Sequence, residues 1–179
     1  MERSNLHVKE AQNNSRPQKQ TKAAQHKATP MSHPQTTLPD KAAISFRGGF
    51  NCAQSVLLAM QEHYGTKSEV IPKIASAFGG GIERCGSLCG ALTGVVMAIG
   101  IKHGTNERGV EKRDKPNRLA QRFYEQFTKE LGTPFCRELI GYDLTKPEEL
   151  EKAERLKVFD EKCEGFVRKA VEMLLSLEK

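Results

Sequence analysis

The sequence predicts an all-α fold, a compact multi-helix bundle with a buried, glycine-containing central helix, preceded by a disordered N-terminal tail. Three observations predict it. Apolar residues recur at the i, i+3, i+4, i+7 spacing of a helix, no segment alternates apolar and polar as a half-buried strand does, and Gly or Pro separates the apolar segments from one another.

The first 39 residues hold six basic and two acidic residues, with no aromatic residue, no Gly and no Cys. They are rich in Gln, Asn, Ser, Thr, Lys and Pro and offer too little apolar surface to offset the entropy of ordering. This predicts a disordered tail over 1–39 and a folded domain over 40–179. The first helix covers about 40 to 47 and is broken by Gly48-Gly49. A second starts at the N-cap Asn51 and runs to about Tyr64, with Ala53, Val56, Leu57 and Met60 on one face, before Gly65 ends it. Ser68 caps a third segment reaching Phe78, and Gly79-Gly80-Gly81 then ends regular structure.

From Ser87 to His103 the chain is apolar all round, as suits a helix at the centre of a bundle. Gly90 and Gly94, one turn apart, allow a neighbouring backbone to come close. Pro116 should break or kink the following charged stretch, so the next helix is expected over Asn117 to Leu131, with Leu119, Phe123 and Phe127 as its apolar face. Thr133-Pro134 opens a short helical turn through Ile140. Thr145 and Pro147 begin an exposed, charged helix to about Leu156. The last helix is expected from Asp160, its buried stripe formed by Cys163, Phe166, Val167, Ala170, Val171, Leu174 and Leu177.

Charge and composition exclude several function classes. The 179 residues carry 28 Lys+Arg against 22 Asp+Glu, a formal charge of +6. The tail holds +4 of this, which leaves the domain nearly neutral at +2. A nucleic-acid binder should carry a basic stripe on its folded part, and none is expected here. No apolar segment follows the N-terminal charges as in a secretory signal, and the longest apolar run, Leu88 to Ile101, is too short to span a bilayer. The reading is a soluble cytoplasmic protein. Apolar surface on several short helices is compatible with a homodimer.

The five cysteines carry the chemistry. In a reducing compartment, such a set in a small domain points to a metal site or reactive thiols rather than a disulfide framework. Cys52, Cys89, Cys136 and Cys163 each fall in the expected first turn of a helix. There, free backbone N–H groups and the helix dipole stabilise a thiolate and lower its pKa. Arg137 beside Cys136 and Lys162 beside Cys163 act in the same sense. If the helices converge, these four thiols form one site, catalytic in a redox reading and metal-ligating in another, with Cys85 as an additional candidate ligand. The run Gly79 to Gly94 matches neither phosphate-loop pattern and is expected mainly to reverse the chain and pack helices closely. A subsidiary reading makes Gly79, Gly80, Gly81, Gly90 and Gly94 a cofactor cradle beside the thiols. His63 and His103 sit at helix C-termini and His7, His26 and His33 in the tail, so none is expected as a ligand. Glu148, Glu149 and Glu151 form a solvated face.

Five segments carry a resemblance. Gly49-Phe50-Asn51-Cys52-Ala53-Gln54, Phe78-Gly79-Gly80-Gly81-Ile82, Cys89-Gly90-Ala91-Leu92-Thr93-Gly94, Cys136-Arg137-Glu138-Leu139-Ile140-Gly141-Tyr142-Asp143-Leu144 and finally Cys163 resemble the redox-active family called C_GCAxxG_C_C, from about Asp40 to the end. The resemblance implies an all-helical domain whose four family cysteines are Cys52, Cys89, Cys136 and Cys163. It also implies a redox role, with Cys85 lying where the family more often has another residue. Two chemistries fit. An oxidoreductase or electron carrier would cycle between dithiol and disulfide, or hold an iron–sulfur cluster, and would exchange electrons with a redox partner that the sequence does not identify. A non-catalytic protein would bind a tetrahedral metal through the same thiols or use them only as helical scaffold packing. No Cys-x-x-Cys or Cys-x-x-Cys-His occurs, so thioredoxin-like exchange, zinc knuckles and covalent haem lose their usual signal.

Overall fold

The computed structural model describes residues 36–179, so the tail and its histidines His7, His26 and His33 lie outside the described residues. The described residues form eight α-helices and no strand. The first, α1 (Leu38–Arg47), starts ahead of Asp40 because Thr37 caps it, in a reciprocal capping box closed by the Asp40 carboxylate. Asn51 caps α2 (Cys52–His63) as its position predicts. Ser68 does not start a regular helix: its hydroxyl accepts from the Val70 amide in a local turn, and a 3₁₀ run follows over Lys73–Phe78. The four-residue α3 (Gly79–Ile82) holds Gly80 and Gly81 in the left-handed region.

The central helix is α4 (Gly90–His103), three residues shorter at its start than the apolar run. Pro116 does not break the next helix, since α5 (Asp114–Leu131) begins before it and places the proline in its first turn, where no intrahelical N–H bond is required. Leu119, Phe123 and Phe127 form its buried face. After the short α6 (Cys136–Ile140) and α7 (Pro147–Arg155), a π-helical turn over Phe159–Cys163 runs directly into α8 (Glu164–Leu177). None of these helices is long and apolar enough to cross a membrane.

The main core is built where α2 and α4 cross, with α5 and α8 closing over them and α1 lying against α2 and α8. Phe123, Phe127, Leu57, Met60, Leu92, Ile99 and Leu174 are its largest sealed side chains. A smaller cluster gathers Ile140, Leu144, Ala153 and Val158 with Cys136 and Cys163. Cys52 packs against both clusters, so the thiols lie on the seam between them. Polar ties fix the ends: Arg168 on α8 pairs with Asp40 on α1, Arg47 reaches Glu164 at 2.6 Å, and Glu178 accepts from Tyr64 at 2.9 Å and Lys102 at 3.0 Å. His103 completes this last cluster at 3.1 Å from Glu178, which gives it a structural partner.

The α2–α4 crossing depends on the missing side chain of Gly94. A Cβ there would lie 2.8 Å from the Ala53 carbonyl oxygen and 3.0 Å from the Val56 Cβ. Backbone cannot move aside cheaply, so Gly94→Ala is expected to destabilise the fold by about 1–3 kcal/mol. Gly100, on the same helix, has nothing within 4 Å of such a Cβ. There Gly100→Ala should stabilise by roughly 0.5–1 kcal/mol through reduced chain entropy. Urea unfolding of both variants checks the opposite signs.

Candidate functional site

Cys52 occupies the first position of α2, and its surroundings are set by Asn51. The Asn51 side chain accepts from the Gln54 amide at 2.9 Å while Gln54 Oε1 accepts from the Asn51 N–H at 3.1 Å. The amide end of Asn51 reaches further than capping requires, donating to the carbonyls of Ala75 at 3.1 Å and Ser76 at 2.8 Å. It therefore anchors the 3₁₀ run beside the start of α2. Gly79 packs against this residue, where a Cβ would come within 2.8 Å of the Asn51 Cβ.

A short antiparallel pairing brings Cys89 and Cys136 together. Leu88 and Phe135 form an isolated bridge, flanked by Cys89 N–H to the Pro134 carbonyl at 2.8 Å and Cys136 N–H to the Ser87 carbonyl at 2.7 Å. Gly81 seals the back of this pairing at φ +71°, and a Cβ on it would meet the Ser87 nitrogen at 2.6 Å and the Cys136 Cβ at 2.7 Å. Cys136 opens α6, with Phe135 rather than Thr133 as its cap residue. Cys89 is the residue before α4.

Cys163 departs from the expected first-turn placement. It ends the π turn, where the Glu164 amide bonds to the Phe159 carbonyl, one residue further back than in an α-helix. The additional residue turns the helix face by about 100°, and such bulges recur at functional sites. Lys162 is held beside it by donating to the Ile140 carbonyl at 2.9 Å.

Cys52, Cys136 and Cys163 open onto one cavity of about 500 Å³. Phe46, Leu144 and Phe159 supply apolar wall, Asn51, Gln54 and Ser76 polar wall, and Gly79 and Gly80 backbone surface. Cys89 is buried outside this lining. Gly90 packs behind Cys52, at 3.0 Å from its Cβ to an added methyl, and Gly94 serves the helix crossing. So of the five glycines read as a cradle, Gly79 and Gly80 line the cavity, while Gly81, Gly90 and Gly94 pack the framework behind it. Cys85 is exposed and faces a separate shallow groove with Arg137 and Glu138. Glu83 and Arg84 at the cavity wall were absent from the sequence reading, because only the unusual backbone around them brings them there.

The electrostatics correct one expectation. Thiolates stabilised by helix starts should have lowered pKa values, yet three of the four are raised. Burial pushes Cys89 up to about 11, even though the amides of Ala91 and Leu92 act on its sulfur in the lowering direction. Burial, with the charge of neighbouring thiolates, pushes Cys136 up to about 12. Cys52 rises because its S–H donates to Cys163 and because it is buried. Cys163 alone is lowered, first by accepting that hydrogen bond and then by Lys162, against burial and Asp160. Desolvation of a charge outweighs the helix-start amides at Cys89 and leads at Cys136, while at Cys52 the Cys163 sulfur leads and desolvation adds to it.

Four thiols are a soft donor set suited to zinc or an iron–sulfur cluster. Among the described residues, however, no group of three or more His, Cys, Asp or Glu side chains is placed to hold a metal ion. As they stand, the thiols share a neighbourhood without enclosing a common point.

The family described as "Putative redox-active protein (C_GCAxxG_C_C)" matches the chain over residues 50–177. No curated protein and no solved structure matches it.

The pKa directions predict an order of reactivity. A lowered pKa means that the thiolate persists to lower pH, so alkylation of Cys163 should rise with pH and level off below the ordinary thiol value of 9.0. Cys89 and Cys136 should stay unmodified until near pH 11 and 12. Peptide mapping after iodoacetamide treatment across this range, in a Cys85→Ser background, checks the order.

Proposed function

The chain belongs to the C_GCAxxG_C_C family of redox-active proteins, and from that premise we propose that it is a thiol-based oxidoreductase or electron carrier whose Cys52 and Cys163 cycle between dithiol and disulfide. The observation that carries this reading is that Cys52 and Cys163 line one cavity large enough for a small molecule, and each shifts the other's ionisation, Cys52 upward and Cys163 downward. A buried nucleophile without such an opening would be chemically idle.

The steps follow from the thiols' environments. The Cys163 thiolate attacks one sulfur of an external disulfide RS–SR, so a Cys163–SR bond forms, the RS–SR bond breaks and RS⁻ leaves. Cys52 then gives its proton to the departing thiolate and attacks the Cys163 sulfur. The Cys52–Cys163 bond forms, the Cys163–SR bond breaks and a second RS⁻ leaves. Two protein thiols are oxidised and one disulfide is reduced to two thiols. Cys89 and Cys136, raised to about 11 and 12, stay protonated near neutral pH and do not compete as nucleophiles.

A second reading, metal binding without turnover, is favoured by the presence of Cys136 on the same cavity wall. The two separate on one preparation of the anaerobic full chain carrying Cys85→Ser. With 2-hydroxyethyl disulfide, two thiols are expected to disappear and peptide mapping to find Cys52 joined to Cys163. Cys52→Ser should stop at a mixed disulfide on Cys163, and Cys163→Ser should react at least roughly tenfold more slowly, as expected when a thiolate is replaced by a protonated neighbour. Stoichiometric metal by elemental analysis, lost in Cys89→Ser and retained in Cys85→Ser, would instead support the metal reading.

A further inference from the structure

Five consecutive residues beside the cavity wind left-handed: Gly80 at φ +63°, Gly81 at +71°, Ile82 at +61°, Glu83 at +41° and Arg84 at +66°. L residues avoid this region because Cβ crowds the following carbonyl, and isolated instances are usually Gly, Asn or Asp. Here three successive residues with ordinary side chains adopt it. Backbone bonds hold the run in place, from Glu83 N–H to the Ala77 carbonyl at 2.9 Å, Gly86 N–H to Gly80 at 3.1 Å and Ser87 N–H to Gly81 at 3.0 Å. Strain maintained by so many contacts marks a segment whose shape is used.

The consequence of the shape is the position of two charges. Glu83 and Arg84, adjacent in sequence, both line the cavity that Cys52 and Cys163 face. The stem of Arg84 lies over Gly80, where an added Cβ would come within 3.2 Å of its Cγ and 3.7 Å of Leu144. Nearby Arg137 is committed to Asp143 at 3.0 Å and to the Cys85 carbonyl at 3.1 Å. Among the described residues, neither Glu83 nor Arg84 enters a side-chain hydrogen bond or ion pair. An acid and a base held next to each other, unpaired, on the wall of a thiol cavity complement a ligand bearing both charges on one small group.

We propose that Glu83 and Arg84 are the specificity-determining residues for a low-mass disulfide of amino-acid type, Arg84 taking the α-carboxylate and Glu83 the α-ammonium of one half while its sulfur meets Cys163. This rests on the thiol–disulfide reading of the same cavity. The exchange is the one written above, with the amino-acid disulfide as the oxidant and two molecules of its thiol as products. A planar guanidinium suits a carboxylate through paired N–H donors, and the apolar wall of Phe46 and Phe159 suits the methylene between head group and sulfur.

The test measures how fast reduced full-length protein carrying Cys85→Ser forms its Cys52–Cys163 disulfide with four oxidants: cystine, 3,3′-dithiodipropionate, cystamine and 2-hydroxyethyl disulfide. Each rate is divided by that of the same oxidant with a free small thiol. Cystine should exceed the neutral oxidant by roughly tenfold, the effect of charge-assisted hydrogen bonds to the head group. Arg84→Gln should remove the advantage of cystine, Arg84→Lys should restore part of it, and Glu83→Gln should shift preference towards dithiodipropionate. Both residues are exposed, and circular dichroism of each variant verifies its fold. Normalised rates within about twofold of one another, or a cystine preference that survives Arg84→Gln, overturn the site while leaving thiol–disulfide chemistry standing. Failure of all four oxidants to join the pair overturns that chemistry and the site with it.

Discussion

The contact between α2 and α4 governs the rest of the molecule. Gly90 and Gly94 bring one helix backbone against Cys52, Ala53 and Val56 of the other, and this close approach fixes two things together. It buries the central apolar helix, whose surroundings supply most of the large core side chains. It also pins the start of α2, with Cys52, against the segment that leads from the left-handed turn to Cys89. Wider separation of the helices would open the seam between the two hydrophobic clusters, and with it the place where the thiols meet. Packing and chemistry therefore share one constraint.

That constraint explains why the thiols differ from one another. Close packing removes water, and removing water penalises a thiolate more than a few backbone amides favour it. Cys89 shows the competition directly, since the amides of Ala91 and Leu92 face its sulfur and burial still wins. Cys163 escapes because two favourable contacts act on it together, the Cys52 thiol and the Lys162 ammonium. The proposed exchange uses this asymmetry: two thiols that ionised equally would repel as thiolates, whereas one lowered and one raised thiol supply an attacking and a resolving sulfur.

Much of this was legible in the sequence, though unevenly. The stripe from Cys163 through Leu174 and the face Leu119, Phe123, Phe127 follow helical spacing, and burial obeys it. Asn51 announced its helix because capping chemistry is local. Local signals failed where tertiary bonding decides the backbone. Ser68 has the chemistry of a cap but sits in a turn, and Pro116 is tolerated because α5 begins just ahead of it. The π turn before Cys163 and the left-handed run through Ile82, Glu83 and Arg84 have no composition of their own. Backbone bonds spanning five or six residues hold them, from Glu83 to Ala77, Gly86 to Gly80 and Glu164 to Phe159, and no side-chain type announces such bonds. The first-turn position expected of the four cysteines holds for Cys52 and Cys136, while Cys89 lies just before α4 and Cys163 ends the π turn; it also pointed the wrong way on the pKa directions of Cys52, Cys89 and Cys136, because periodicity reports faces and says little about depth.

The left-handed run and the π turn are two departures from regular backbone that both contribute to the lining of one cavity, and each re-aims side chains that regular structure would direct elsewhere. The π turn inserts a residue before Cys163 and changes the face its thiol presents. The left-handed run, costing about 1–2 kcal/mol for each residue that is not glycine, places Glu83 and Arg84 on the wall. A chain that only needed to reverse direction between Phe78 and Cys89 could do so with its glycines alone, since Gly79, Gly80, Gly81 and Gly86 all lie within that stretch. Extending the strained conformation through Ile82, Glu83 and Arg84 adds cost without shortening the connection. The return on that cost is positional: an adjacent, unpaired acid and base on the wall of the thiol cavity, in a domain whose formal charge of +2 over residues 40–179 gives no long-range attraction to speak of. On the proposed reading, selection of a small charged reactant is made at close range, by groups held in place before it arrives.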